Sequence, residues 1–497
     1  QHYLSAAGFL ANLVTSEYAD TRAFALTFLQ TAKLSDDTAR ILIVRLLAFV
    51  IVLTPQHEPL AHEVTRDVST ILQTCFSAHL RTAGMAIIRD LLDHPLLVVQ
   101  ELGGFLLLNH ETPADQLPET VIHSLIASPH ASMRGIGIRL LGQWPDERLL
   151  KNEALLTAFV THELEDIRQA IRPVLQRLSE NHRTFADRMA DRLIAVLLRR
   201  ESHAGVHRTV VQTLKTDLGT AWQDAASRET ITQLIRAKSS EAQELGGSLL
   251  HNKIQQKAAP NASWLADVAT LEIARFADHQ VKTVRDAAQS LFTYNLDRFR
   301  CATNPSGCHD ELAQGVRLLD VRWDDARQFY FAAFEREFTA AEFTPGLLVG
   351  ICDSTRPEVQ KFGRDLISRY FADADGQEYL LKLSEHPTTD LQLFATNYLE
   401  RYAAGDAARL RELKPYFVSV LARVNRARVA KSRVMNFLAA EGQKSFEAAT
   451  VVAEILTRQS VTMAIGDKAA TLETMLTIRR AYPATELPIQ IRGLTQR

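Results

Sequence analysis

One stretch decides the fold of this 497-residue chain. It reads DHQVKTVRDAAQSLF (residues 278–292): a polar turn, then Val-Arg, then small residues, then large apolar ones. Related copies read ASMRGIGIRLL (residues 131–141) and EDIRQAIRPVL (residues 165–175). A helical sequence motif that recurs along a chain predicts a stack of helical units, each of which buries its apolar face against its neighbours.

The repeat can be counted from the Arg or Gln that follows the start of each copy. These anchor residues are Gln100, Arg134, Arg168, Arg208, Gln243, Arg285, Arg327, Gln360 and Gln392. Their spacing suits two helices of roughly 12 to 16 residues joined by short turns. The strings QELGGFLL (residues 100–107) and QELGGSLL (residues 243–250) repeat the same pattern independently. We therefore predict an all-α fold: a right-handed superhelical α-solenoid of about 11–13 helical pairs.

The second helix of each repeat resembles the HEAT-repeat family, over roughly residues 15–400. In that family an acidic residue before this helix and an Arg or Lys within it bridge neighbouring repeats. Similar pairs in this chain are Asp20 with Arg22, Asp166 with Arg168, Asp278 with Arg285, and Asp324 with Arg327. Gln replaces Arg at positions 100, 243, 360 and 392, so the resemblance implies no continuous charged ladder. It implies a fold and leaves the activity open.

The glycine pairs of the repeated string lie inside predicted helices, where glycine is unfavourable. They are Gly103-Gly104 and Gly246-Gly247. We expect at least one member of each pair to lie where neighbouring helices approach too closely for a β-carbon.

Changes in helical periodicity and charge along the sequence divide the chain into four regions. Residues 1–95 are predicted to form irregular N-terminal helical repeats, 96–404 the regular array, 405–482 a C-terminal helical cap with a basic helix, and 483–497 an extended tail. Pro483 and Pro488 disfavour helix in that tail. Residues 423–433 and 464–470 are also similar to the ends of uncharacterised bacterial HEAT-repeat proteins.

Charge and composition exclude several classes of protein. The net charge of −2 predicts no general nucleic-acid-binding face, although a local one stays open. The longest apolar run, residues 41–53, is too short to cross a membrane. Four cysteines and no targeting segment predict a cytoplasmic protein. The first residue is Gln rather than Met, which leaves open a missing or processed N-terminal portion.

Motifs of the common catalytic families are absent from the sequence, so we predict no enzymatic activity, no cofactor and no metal. Cys301, Cys308 and His309 would supply three zinc donors, but no fourth is evident. A surface loop with unligated thiols is the favoured interpretation, and a local disulfide is the alternative.

Trp323-Asp324-Asp325 resembles the carboxylate beside tryptophans that HEAT-like DNA glycosylases use on alkylated bases. An aromatic face can stack on a cationic base, and a carboxylate can stabilise the sugar cation formed as the base leaves. Carboxylates are also favoured at the start of a helix, and Trp323 could pack between repeats. We favour this structural interpretation.

A basic segment near the C-terminus is the strongest local signal. Its cations are Arg423, Arg426, Arg428, Lys431 and Arg433. On one helix Arg426 and Arg433 would share a face, and Arg428 and Lys431 would share another. Such a helix could bind phosphates or an acidic partner. A solvated helix face is the alternative.

These observations favour a non-catalytic scaffold that binds another protein on the concave surface of the solenoid, within a bacterial multi-component complex. The second helices should form that surface, and the predicted contacts are Arg139, Arg172, Asp286 and Gln289. The alternative is a nucleic-acid-binding protein, with or without glycosylase chemistry, that uses the basic helix.

Overall fold

A computed structural model of the protein describes residues 5–54, 58–256, 260–386, 388–423, 428–462 and 464–489. These residues form helices, turns and loops without any β-strand. The chain divides into two compact units, residues 1–249 and 250–497. Each unit is a succession of packed helices, so the all-α solenoid of HEAT-like helical pairs is confirmed. The handedness of the superhelix stays a prediction.

The helices of the first unit are short and follow one another closely. They are α1 (Ala7–Val14), α2 (Ala19–Thr31), α3 (Asp36–Ile51), α4 (Glu58–Cys75), α5 (Ser77–Leu80), α6 (Met85–Leu92), α7 (Leu97–Leu108), α8 (Glu119–Ile126), α9 (Ala131–Gly142), α10 (Asp146–Lys151), α11 (Glu153–Val160), α12 (Glu165–Ala170), α13 (Arg172–Asn181), α14 (Arg183–Leu197), α15 (Val206–Gln212), α16 (Ala221–Ala225), α17 (Arg228–Arg236) and α18 (Ser240–Gln255), whose last residues belong to the second unit. A π-helical segment, Thr213–Asp217, extends α15.

The second unit continues the same alternation of first and second helices. Its helices are α19 (Thr270–Ala277), α20 (Lys282–Tyr294), α21 (Cys308–Gly315), α22 (Asp324–Glu337), α23 (Pro345–Cys352), α24 (Pro357–Tyr370), α25 (Gly376–Glu385), α26 (Thr389–Thr396), α27 (Leu399–Ala403), α28 (Ala407–Glu412), α29 (Lys414–Leu421), α30 (Arg428–Glu441), α31 (Phe446–Gln459) and α32 (Ile465–Ala481). Residues 483–489 are non-helical, as expected of the tail, and 490–497 lie outside the described residues.

The two helices of a pair pack most closely at the third residue after the anchor. A β-carbon on Gly103 would lie 2.8 Å from Leu91 Cβ, and one on Gly246 would lie 2.9 Å from the backbone nitrogen of Ile235. A β-carbon on Gly104 would lie 2.5 Å from Ile136 Cδ1, the end of a flexible side chain that can move aside more easily than backbone can. The expected close approach is therefore confirmed for both glycine pairs.

Two further glycines that were not predicted from the sequence, Gly137 and Gly363, lie at the same position. A β-carbon on Gly137 would lie 3.0 Å from the backbone nitrogen of Ile126, and one on Gly363 would lie 3.1 Å from that of Cys352. Because the obstacle is backbone of the preceding helix, a side chain cannot simply rotate away. The position therefore sets how closely the helices of a pair approach.

The anchor side chain ties the start of each second helix to the turn before it. It donates a hydrogen bond to the backbone carbonyl six residues earlier, at 2.5 to 3.0 Å. The anchors that do so are Arg22, Gln100, Arg134, Arg168, Gln243, Arg285, Arg327, Gln360 and Gln392. Arg and Gln are interchangeable here because both reach this carbonyl with an N–H group.

The prediction of Arg208 as an anchor is wrong. Arg208 is exposed, and its buried neighbour His207 makes no hydrogen bond through either ring nitrogen in the described structure. Gly205 has a left-handed φ of 82° directly before α15. This helix begins at Val206, only two residues before Arg208, whereas the other anchors stand three residues after the start of their helix. The Glu201 carboxylate accepts the backbone N–H of His207 at 2.9 Å.

The residue six positions before the anchor is usually His or Ser, and it closes the turn. The Nδ1 atom of His94, His162, His279 or His386 accepts the backbone N–H two residues further on, at 3.0 to 3.1 Å. The hydroxyl oxygens of Ser16, Ser128 and Ser354 accept in the same way. The sequence carried this signal as His or Ser six residues before Arg or Gln.

Some arginine anchors also reach the next repeat. Arg134 Nε lies 2.7 Å from an Asp166 oxygen, and Arg285 Nη2 lies 2.8 Å from an Asp325 oxygen. In both cases the carboxylate stands two residues before the next anchor. The pairing predicted from the family resemblance therefore occurs between repeats, but with different partners from Asp166–Arg168 and Asp278–Arg285.

We call these ion pairs between successive repeats the ladder, and acid should weaken them. The hydrogen bond from Arg134 holds the pKa of Asp166 below its ordinary value of 3.8, against the opposing effect of burial. Because the folded pKa is the lower one, the stabilisation is present above about pH 5 and is lost as the pH falls through the folded pKa. We expect Asp166→Asn to lower the urea midpoint at pH 7, and this difference from the wild type to shrink below pH 4.

Glu165→Gln provides the control, since Glu165 is an exposed neighbour of Asp166 in the same helical turn. It should leave the urea midpoint and its pH dependence close to those of the wild type. An Asp166→Asn deficit of equal size at pH 7 and pH 3 would contradict the assignment of the ion pair.

Candidate protein-binding surface

The four predicted partner contacts lie one, four or five positions after their anchors. Arg139, in α9 of the first unit, is exposed, and its Nε donates to the Gly135 carbonyl of the same helix at 3.3 Å. In the second unit Asp286 and Gln289 are half-buried on α20, and Asp286 pairs with Lys282 at 2.8 Å. These three predicted contacts are accessible to a partner.

The side chain of Arg172, by contrast, is engaged in contacts within the protein. Its Nε lies 2.7 Å from an Asp217 oxygen, and Nη2 bonds both the second oxygen of Asp217 and the Thr216 hydroxyl. The hydrogen bond to Asp217 raises the pKa of Arg172, against the effect of burial. Asp217 is itself buried, on the π-helical segment after α15. Arg172 as a partner contact stays a prediction, and in the structure its side chain joins two repeats.

Two residues that were not predicted from the sequence extend the surface around Gln289. Phe331 on α22 and Arg364 on α24 stand four positions after their anchors, as Gln289 does. Phe331 is half-buried and stacks on Phe362 of the next second helix, with ring centroids 4.5 Å apart. Arg364 forms no ion pair with any residue that the structure describes. We call Gln289, Phe331 and Arg364 the second-helix row; the anchor spacing was the signal that could have found it.

The structure describes the basic segment except for residues 424–427. α29 ends at Leu421, Arg423 lies beyond it and donates to the Ser384 carbonyl, and α30 begins at Arg428. Arg426 lies outside the described residues. Arg428 is exposed, whereas Arg433 donates to Thr396 Oγ1 and to Asn397 Oδ1 at 3.2 and 2.9 Å. The shared face of Arg426 and Arg433 therefore stays a prediction, whereas Arg428 and Lys431 both lie on α30 but differ in exposure, since Lys431 is buried.

Lys431 belongs to the ladder between repeats. It is buried, and its Nζ lies 2.7 Å from an Asp467 oxygen at the start of α32. This contact matches the way Arg134 reaches Asp166. Because removal of one partner would leave a buried charge unpaired, Lys431 is a structural cation.

The residues around Trp323 are engaged with the protein itself. The Arg285 guanidinium lies 4.4 Å from the centre of the Trp323 ring, and Trp323 Nε1 donates to the Asp278 carbonyl at 3.2 Å. Asp324 pairs with Arg327, and Asp325 with Arg285. Burial raises the pKa of Asp325, but the hydrogen bonds from Arg285 and the backbone outweigh it and leave the pKa below its ordinary value. The arrangement supports the structural interpretation of this motif.

Cys301 and Cys308 form a disulfide, so the favoured interpretation of unligated thiols is wrong and the local disulfide is what the structure contains. Cys308 is the first residue of α21 and is fully buried, whereas Cys301 is half-buried in the preceding turn. The exposed side chain of His309 follows, with Nε2 3.5 Å from Cys301 Sγ.

In the described part of the chain, no helix combines the length and the apolar character that a membrane span requires.

Comparison with known proteins gives structural similarity alone. No protein-family model matches the chain, and no curated protein sequence does. A homology model of the full-length AP-3 complex is 10% identical, with 95% of this chain and 90% of that chain covered and a TM-score of 0.35. A crystal structure of a Kap121p mutant is 11% identical, with 96% and 54% covered and a TM-score of 0.37. This chain thus spans about half the length of Kap121p, and similarity at this level assigns it neither a partner nor an activity.

Proposed function

We propose that this protein is a non-catalytic scaffold that binds another protein on the exposed surface of its second helices. The observation that carries the proposal is the second-helix row, in which a half-exposed aromatic ring stands between two polar side chains at equivalent positions. Protein interfaces commonly depend on a few aromatic and arginine side chains surrounded by polar contacts. Phe331 and Arg364 supply both types on neighbouring helices of the second unit.

The internal hydrogen bonds support the same conclusion. The anchors, the turn-closing His and Ser residues, and the carboxylates of the ladder are all engaged within the protein. They hold successive second helices in register, and in the second unit Gln289, Phe331 and Arg364 are accessible at equivalent positions. At the same position Gly104, Ile138 and Thr396 are buried, so the accessible row is confined to these three helices. A rigid row of this kind loses little conformational entropy when a partner binds.

Photo-crosslinking in the source cell tests the proposal while the partner is still unidentified. A benzophenone amino acid at exposed Gln328, one helical turn before Phe331, should crosslink a distinct second protein. The same amino acid at Arg89, an exposed residue of first helix α6, is the control and should give no such product. Identical products from both sites would contradict the proposal.

The combined change Gln289→Glu, Phe331→Ala and Arg364→Glu should then weaken binding of the crosslinked protein by at least about 100-fold. Loss of an aromatic hot-spot residue costs about 2 kcal/mol or more, and reversal of a nearby charge adds repulsion. Titration calorimetry with purified partner measures the effect, and circular dichroism checks that the helices persist. Unchanged affinity would place the interface elsewhere.

Nucleic-acid binding through the basic segment receives less support from the geometry. Lys431 is buried in an ion pair, and both Arg423 and Arg433 are hydrogen-bonded to other parts of the second unit. A mobility-shift assay over a salt series distinguishes the two functions, because phosphate contacts give a steep salt dependence. The scaffold proposal expects no appreciable DNA binding at about 0.15 M salt.

A further inference from the structure

The disulfide turn of the second unit has no role in the proposed scaffold surface, yet it gathers metal-binding chemistry. One ligand atom from each of Cys301, Cys308 and His309 lies within 4.8 Å of the others. Two sulfurs and an imidazole are a donor set that Zn²⁺ prefers in proteins. Cys308 lies at the inner side of the group and exposed His309 at the outer side.

We propose that this turn is a redox-gated zinc site. In the oxidised protein the two sulfurs are bonded to each other and the site is closed. In the reduced protein the thiolates of Cys301 and Cys308 and the imidazole of His309 bind one Zn²⁺, with a water molecule in the fourth position. The inference is independent of the scaffold function.

The chemistry balances with a thiol as the reductant. Two equivalents of a small monothiol reduce the Cys301–Cys308 bond, yielding two cysteine thiols and one small-molecule disulfide. Zn²⁺ then displaces a proton from each thiol and takes the neutral imidazole nitrogen as its third ligand, so that two protons are released. The small-molecule disulfide, as oxidant, reverses both steps: the Cys301–Cys308 bond forms again, two protons are taken up as two small thiols are regenerated, and the zinc ion is released.

The local geometry favours this exchange. Cys308 begins an eight-residue helix, where the helix dipole stabilises a thiolate. Sulfurs bound to one tetrahedral zinc lie roughly 3.8 Å apart, so the two side chains need only rotate away from each other after reduction. Access is from the side of His309, the exposed member of the group.

Metal binding would also change a contact between turns. His309 Nε2 lies 3.0 Å from the Ala341 carbonyl, to which it donates, and the backbone N–H of Cys301 donates to the Glu342 carboxylate at 3.0 Å. A zinc ion that takes Nε2 must release the Ala341 carbonyl. The redox state of the cysteines is therefore coupled to the turn before α23.

The test uses the full chain, with Zn²⁺ and Co²⁺ as the probes. After reduction by a phosphine and its removal, the protein should bind one equivalent of Zn²⁺ in competition with a chromogenic chelator. Co²⁺ should produce a thiolate-to-cobalt charge-transfer band. Cys301→Ser and His309→Ala should each weaken binding by about tenfold or more, because each removes a ligand. Both side chains are accessible, so melting curves should confirm that the variants fold.

The oxidised protein is the first control and should bind no equivalent of metal. The second is a variant with Cys75→Ser and Cys352→Ala, which should bind metal as the wild type does. Those two cysteines are the free ones in the described structure. Three results would each overturn the proposal: a disulfide that resists reduction in the folded protein, reduced protein that binds no zinc, or binding that Cys301→Ser and His309→Ala leave unchanged.

Discussion

Replacement of Gly137 by leucine should destabilise the first unit by more than about 2 kcal/mol, through overpacking and a shift of backbone. Even the β-carbon alone would lie 2.8 Å from Ile126 Cγ1 and 3.0 Å from both Ile126 N and Leu125 Cβ. α8 would therefore have to move away from α9, and this separation would open the contact on which the pair depends. Gly137→Ala should also destabilise, by a smaller amount.

Gly135 in the same helix gives a matched control. A β-carbon there meets nothing within 4 Å. Gly135→Ala should stabilise the protein by about 0.5–1 kcal/mol, because glycine is costly in a helix and no contact opposes the substitution. The two alanine variants, two residues apart, should therefore have effects of opposite sign.

Hydrogen exchange is the appropriate measurement, since a long array of repeats need not unfold in a single step. Faster exchange confined to α8 and α9 in Gly137→Leu, and slower exchange in Gly135→Ala, would support the close-approach interpretation. Gly103→Leu and Gly246→Leu should behave like Gly137→Leu in their own pairs. Equal exchange in all of these variants and the wild type would require a surface explanation for the repeated glycines.

The sequence predicted the features of the fold that recur at a fixed interval. Apolar spacing gave the helices, and the anchors gave the pairing, because each repeat must solve the same packing problem. A glycine inside a helix is conspicuous because it is unfavourable there, so the close approaches at Gly103 and Gly246 were predictable. Gly137 and Gly363 were missed only because their neighbours lack the second glycine.

Local departures from the interval were not predictable. Arg208 matches the anchor spacing in the sequence but is exposed, because α15 begins at Val206 after the left-handed Gly205, and a backbone dihedral cannot be read from residue type alone. In the sequence Lys431 is one member of a basic cluster. Its partner Asp467 lies in another helix, 36 residues away, and only the packed structure shows that this cation is internal. The Cys301–Cys308 bond likewise depends on the distance that the turn creates.

Replacement of Arg285 by methionine should have the second large effect, a local destabilisation of roughly 3 kcal/mol around α20 and α22. Its side chain is 7% exposed and donates to the His279 and Gln280 carbonyls at 3.0 and 2.9 Å. It also pairs with Asp325 and stacks on Trp323. Methionine fills a similar volume but supplies no donor, so buried acceptors would lose their partners.

Arg285→Gln separates the two roles of the anchor. At the equivalent position Gln243 donates to the Ala237 carbonyl at 2.7 Å, so glutamine should restore the bond to the His279 carbonyl but not the contact with Asp325. We expect about half of the methionine deficit to be recovered, since a single hydrogen bond contributes about 1 kcal/mol. Lys282→Ala, which removes an exposed ion pair on the same helix, should change stability by less than about 0.5 kcal/mol.

Hydrogen exchange of α19–α22 and urea unfolding measure these differences, and Asp325→Asn completes a double-mutant cycle with Arg285→Gln. In the wild-type background Asp325→Asn should destabilise, because it breaks the link between repeats. In the Arg285→Gln background the same change should cost much less, since that link is already gone. If glutamine and methionine at position 285 were equally destabilising, the bond to the turn carbonyl would contribute nothing. The recurrence of Arg and Gln at the anchors would then reflect helix propensity rather than closure of the turn.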